Sequence, residues 1–194
     1  MPSRPFVLAR GLSRALAFAV TLTAAAPVVS TLEAQQGFMS AMHRDLNDLQ
    51  KKLVDLANAI PESAYSWRPS PGVRSVGEVL QHIAADNYIL PVYMGTPAPA
   101  ATGISADYKT AVAFETRRGL TKAQIVAELE ASFAHLHSAI NVNTDANITQ
   151  NINWFGTQNS RLQGMTGTVG HLHEHLGQLI AYARSNNVKP PWSN

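Results

Sequence analysis

Residues 38–60 read FMSAMHRDLNDLQKKLVDLANAI. Phe38, Met42, Leu46, Leu49, Leu53, Leu56 and Ile60 recur every three or four positions, and Arg44, Asp45, Asp48, Lys51 and Lys52 fall off that line. An α-helix turns about 100° per residue, so this spacing draws one apolar stripe along one side of a helix. A half-buried strand would alternate every second residue instead. The stretch predicts a helix from Gly37 to Ala59, stopped by Pro61. A helix with one apolar side needs partners to bury it, so the next question is how many similar helices the chain carries.

Three more are legible. The second opens at Ser75 with Glu78 three residues on, a capping box, and carries Val76, Val79, Leu80, Ile83 and Leu90 towards an end at Pro91. The third opens at Thr121 with Gln124 as its capping partner, and Ile125, Leu129, Phe133, Leu136 and Ile140 form its stripe to about Asn141. The fourth runs from Met165 or Thr166 to Ser185, after which Val188-Lys189-Pro190-Pro191-Trp192 cannot continue it. Between the first two lies a turn-rich link, residues 61–74, whose Tyr65 and Trp67 are expected to pack back on the helices. Residues 91–120 contain three prolines and three glycines and read as a long excursion with one short helix near Lys109–Phe114. An Asn- and Thr-rich loop follows the third helix, with Trp154, Phe155 and Gly156 as its apolar anchor. The expected fold class is therefore all-α: a four-helix bundle with a long connection between helices two and three. Leu and Ala outweigh β-branched residues, which agrees.

The first 34 residues differ in kind. Arg4, Arg10 and Arg14 precede an apolar stretch, Ala15–Ala26, then small residues and turn formers up to Glu33-Ala34-Gln35. This is the layout of a secretory signal peptide, and the apolar stretch is short of the roughly 20 residues that span a bilayer. Cleavage after Ala34 fits best, with cleavage after Ser30 as the rival. The mature domain would be residues 35–194, periplasmic or secreted, with no stable membrane anchor. The whole chain has 15 basic and 13 acidic residues. Removing the leader takes away three arginines and one glutamate, leaving twelve of each, so the mature chain is formally neutral. No basic face recommends a nucleic-acid partner. The chain has no cysteine, which excludes disulfides and thiolate metal ligands.

Chemistry concentrates in the fourth helix, at His171-Leu172-His173-Glu174-His175-Leu176-Gly177-Gln178. His171 and His175, four apart, lie about 40° apart on one face, a spacing at which two imidazoles can share one metal ion. Gln178 and Tyr182 lie on that face too. His173 points about 160° away and is expected to be solvated. The pattern is not the zincin motif, because Leu172 stands where that motif has its glutamate. A catalytic metal usually takes three protein ligands. His82 on the second helix is the best third, with Asp86 one turn on to orient it, bind through water or act as a base. His43, His135 and His137 are weaker candidates. Each histidine could also be an ordinary hydrogen-bonded packing residue.

Three stretches together resemble the DinB-like superfamily, also called YfiT-like: Trp67–Ser75 followed by Gly77–Ile83, His171–Gln178, and Tyr182-Ala183-Arg184 with Asn186–Pro191. The resemblance implies an up-up-down-down four-helix bundle, often a homodimer. It also implies a divalent metal held by His82, His171 and His175. Many members have histidine just before the last ligand, where this chain has Glu174. Three imidazoles suit zinc or nickel first, then iron or copper. The implied activity is that of a metal-dependent enzyme acting on a small molecule, as a hydrolase or a thiol transferase, with Asp86 and Gln178 in supporting roles. The alternative is a bundle that binds a metal or small ligand without turnover.

Overall fold

The structure, a computed structural model, describes residues 26–144 and 147–193. Most of the expected leader lies outside the described residues. Among the described residues five α-helices follow in order: α1 Ala26–Ala59, α2 Val76–Tyr93, α3 Tyr108–Glu115, α4 Lys122–Asn141 and α5 Arg161–Ser185. A two-stranded hairpin, β1 Asn151–Trp154 and β2 Thr157–Ser160, precedes α5. The fold is all-α apart from this hairpin, as composition and periodicity require.

Both expected capping boxes form. Ser75 and Glu78 exchange side-chain and backbone hydrogen bonds at the start of α2, and Thr121 and Gln124 do so at the start of α4. Each cap of this kind typically contributes about 1 kcal/mol. Three boundaries differ from the sequence reading. Among the described residues α1 runs from Ala26, not from Gly37, because a glycine inside a helix costs only about 1 kcal/mol. α2 continues past Pro91 to Tyr93, the turn beyond the proline being closed by N–H groups of Met94 and Thr96 donating to its carbonyl. α5 starts at Arg161 rather than Met165, on a third capping box made by Ser160 and Gln163. Gly164 and Gly167 hide that start by lowering local helix propensity. At its far end α5 closes with Asn187 in the left-handed region, φ 58°. The Val188 N–H reaches the Ala183 carbonyl and the Asn187 N–H reaches Arg184, the paired bonds of a Schellman motif.

α1 and α2 each pack against α4 and α5. Leu46, Leu49, Leu53 and Leu56 of α1, Leu80 and Ile83 of α2, Leu129, Phe133 and Leu136 of α4, and Leu179 of α5 are fully buried. Burying one such side chain contributes about 1.5–3 kcal/mol. The link between α1 and α2 does fold back: the Tyr65 hydroxyl donates to the Ala57 carbonyl (2.8 Å), and Trp67 meets Tyr182 edge to face. Among the described residues no helix is long and apolar enough to cross a membrane.

The long connection between α2 and α4 is not idle. It lays α3 along α2, and with the hairpin it covers the side of α2 that faces away from the bundle. From Val76 to Pro91 every residue of α2 except Glu78 is therefore buried. A second apolar cluster forms there, built on Tyr88, Ile89, Leu90, Ile104 and Phe114. The hairpin turns through Phe155 and Gly156, φ 52° and 84°, the two positive values that a two-residue type I′ turn needs. It sits tightly on α5 at Gly164, where a Cβ would come within 3.0 Å of Ile152 and 3.2 Å of Trp154.

Candidate metal centre

The bundle brings His82 and Asp86 of α2 against His171 and His175 of α5. One ligand atom from each of these four side chains lies within 4.8 Å of all the others. Helix geometry explains the convergence: each pair is four residues apart and so shares a face. The Asp86 Oδ2 is 2.8 Å from the His171 Nε2 and 3.1 Å from the His82 Nε2, and the His171 and His175 Nε2 atoms are 3.0 Å apart. Two nitrogen ligands of a tetrahedral zinc ion would stand about 3.3 Å apart, given bonds of about 2.0–2.1 Å. The separation of the His171 and His175 nitrogens needs little adjustment to reach that value.

The opposite ring nitrogens face outward, and each has a partner. The His82 Nδ1 is hydrogen-bonded to a Glu115 carboxylate oxygen, and Glu115 is also paired with Arg74 at 3.2 Å. The His175 Nδ1 donates to the Gln178 Oε1 (2.9 Å), and the Gln178 Nε2 donates to the Tyr182 hydroxyl (2.9 Å). The His171 Nδ1 lies 3.6 Å from Glu174, which is exposed. An outward Nδ1–H bond fixes the tautomer and leaves Nε2 free to ligate, the usual support for a metal-binding histidine.

The electrostatics divide the histidines. The hydrogen bond to Asp86 raises the His171 pKa against the opposing effect of burial. Burial holds the His175 pKa below its ordinary value, and the neighbouring His171 and His82 push the same way. Burial pushes Glu115 up, but its bond to His82 and the Arg74 charge outweigh that and keep it ionised. The donor set is thus three imidazole nitrogens and one carboxyl oxygen, a combination that fits a divalent cation.

The structure separates the remaining histidines. His173 is exposed and bonded to Asp45 of α1 at 3.0 Å, away from the cluster as its helical angle requires. His137 bonds Gln50, and His135 packs against Tyr88. Asp86, expected in a supporting role, places an oxygen inside the cluster itself. Gln178 lies outside the cluster and is hydrogen-bonded to the His175 ring.

Glu115 was missed. It closes α3, in the stretch where sequence periodicity is weakest. One signal was available: a carboxylate in the last turn of a helix opposes the helix dipole and so calls for a partner elsewhere.

One side of the cluster is open. A cavity of about 280 Å³ is lined by His82, Asp86 and His171 at its floor and by Leu90, Tyr108, Trp154, Phe155 and Gly167 around it. The excursion and the loop before α5 build this wall.

This helical fold has known relatives. Residues 45–179 match the family model of the DinB superfamily, and the chain belongs to that superfamily. The fold is similar to that of a solved DinB-like protein from Bacillus cereus ATCC 10987, with TM-score 0.64 and 16% identity over 82% of this chain and 97% of that one. A DinB-like protein from Bacillus subtilis is also similar, with TM-score 0.58 and 15% identity over 78% and 96% of the two chains. No curated protein sequence matches the chain.

Proposed function

We propose that His82, His171 and His175 hold one divalent metal ion, zinc or nickel ahead of iron or copper, and that the chain is an exported metal-dependent enzyme acting on a small molecule. The observation that carries the catalytic reading is the cavity above the cluster. His171 and Asp86 sit on its floor, so a ligand entering from solvent reaches the centre without displacing the core. A structural site would be closed on all sides.

Such an ion supplies Lewis acidity towards a carbonyl, water or thiol in that cavity. The protein does the rest. Glu115 and Gln178 hold the His82 and His175 rings with their Nε2 atoms inward. Asp86, buried and hydrogen-bonded to His171, is placed to take a proton from a group entering the cavity. Hydrolysis is the better reading than thiol transfer, since the proposed export takes the protein to a compartment where low-molecular-weight thiols are scarce.

One observation favours a second reading. The Asp86 oxygen stands about as close to the His171 and His82 nitrogens as the His171 and His175 nitrogens stand to one another. As a fourth ligand it would close the site and leave a binding protein without turnover. Cobalt substitution separates the two. A visible spectrum that shifts when azide is added shows an exchangeable position and supports the enzyme reading. A tetrahedral spectrum indifferent to azide, in a protein that retains stoichiometric cobalt, rules it out.

A further inference from the structure

A second, more open trough of about 520 Å³ adjoins the cavity over the centre. Tyr108 and Phe155 line both. Tyr93, Tyr108, Trp154 and Phe155 form one aromatic collar. Ring centroids are 4.8 Å apart for Tyr93 and Phe155, 5.4 Å for Trp154 and Phe155, and 6.2 Å for Tyr108 and Phe155. These rings come from three separate elements: the end of α2, the start of α3 and the hairpin turn.

Phe155 is the unusual member. It occupies the first position of the I′ turn with φ 52°, a left-handed conformation that a bulky side chain rarely adopts and that Asn or Asp fills readily. Phe155 as a residue is still 52% exposed, and Tyr108 is 42% exposed. A phenylalanine kept for packing would be buried and relaxed. This one is strained and half open, at the rim of a cavity whose floor is the candidate centre. Strain of this kind concentrates at ligand clamps.

The lining also restricts what can enter. Neither chamber is lined by a lysine or arginine, and the inner one holds Asp86. Beyond His171 and the ion itself, a polyanionic ligand would meet no positive group there to balance its further charges. The inner chamber, at about 280 Å³, lies at the small end of ligand pockets, room for one ring or little more.

We propose that the ligand of this centre is a small molecule with one flat aromatic ring and a single neutral or monoanionic donor group. The ring is clamped between Tyr108, Trp154 and Phe155, and the donor is directed to the metal. This inference rests on the metal reading above. Phe155 is its specificity-determining residue.

The test uses the full-length chain loaded with zinc, titrated calorimetrically with benzohydroxamate and with acetohydroxamate. The two probes share a donor group and differ by the ring. After correction for their affinities for free zinc, the aromatic probe should bind at least about tenfold more tightly. In Phe155→Asn, which creates a favoured Asn-Gly turn, that preference should fall below about threefold. Zinc content and acetohydroxamate affinity should stay unchanged, and Tm should rise by about 2–4 °C as the strain is relieved. Tyr108→Ala should also reduce the preference, which keeps the test independent of the turn. Equal binding of both probes to the parent protein, or a preference that survives both substitutions, overturns this inference alone. A chain that takes up no zinc overturns the metal reading on which it rests.

Discussion

α1 and α2 are neighbours in sequence and do opposite work. Among the described residues of α1, every buried side chain is apolar, from Met42 to Ala57, and the opposite side carries ion pairs such as Lys51–Asp55. α2 is buried nearly all round and takes Gln81, His82, Asp86 and Asn87 inside with it. Buried polar groups cost several kcal/mol unless they are hydrogen-bonded. Three of the four have side-chain partners supplied by other elements: His82 by Glu115, Asp86 by His171, and Asn87 by Ser132 at 3.0 Å. α1 holds the fold together through area. α2 spends some of that stability on a set of donors with fixed geometry.

If this division is right, damage to each helix has a different signature. The largest stability effect is expected in α1. Leu53→Ala removes a fully buried side chain and should lower unfolding free energy by about 2–5 kcal/mol in urea. Metal affinity should stay within about threefold, because α1 supplies none of the four cluster side chains. A loss of metal in that variant would break the separation between the two helices.

Glu115→Gln should show the reverse. The change keeps a hydrogen-bond acceptor at the same place but removes the charge that supports His82. Metal affinity should fall about 10- to 100-fold by competition with a chromophoric chelator, while helical content is unchanged. Unaltered affinity would show that α3 covers α2 without supporting the centre.

The smallest effect sharpens the comparison within a single helix. His173→Ala sits between the two proposed ligands yet breaks only the exposed contact with Asp45. Stability should change by less than about 0.5 kcal/mol and metal content not at all.

The same contrast explains what the sequence could show. α1, α4 and much of α5 are amphipathic, so their spacing announces both helix and buried side. The caps at Ser75 and Thr121 fix two starts to the residue. The centre was legible because four-residue spacing on a helix is local geometry: His171 with His175, and His82 with Asp86. The wall around it was not. Glu115, Tyr108 and the 151–160 hairpin belong to segments that carry no period of their own and take their places by packing on α2 and α5. The hairpin was further concealed by its turn, since Phe-Gly is not among the residue pairs that mark a type I′ loop. Asp86 was recognised but set at one remove from the centre, because sequence spacing gives the face of a helix and not the depth of an oxygen atom.

The most direct measurement is the divalent metal content of the protein, purified without a histidine tag, beside that of the His171→Ala/His175→Ala double variant. Elemental analysis should find about one zinc, nickel, iron or copper ion per chain in the parent and none in the variant. No metal in either protein, even after reconstitution with zinc and nickel, would contradict the account and leave His82, His171 and His175 as hydrogen-bonded residues of a helical bundle.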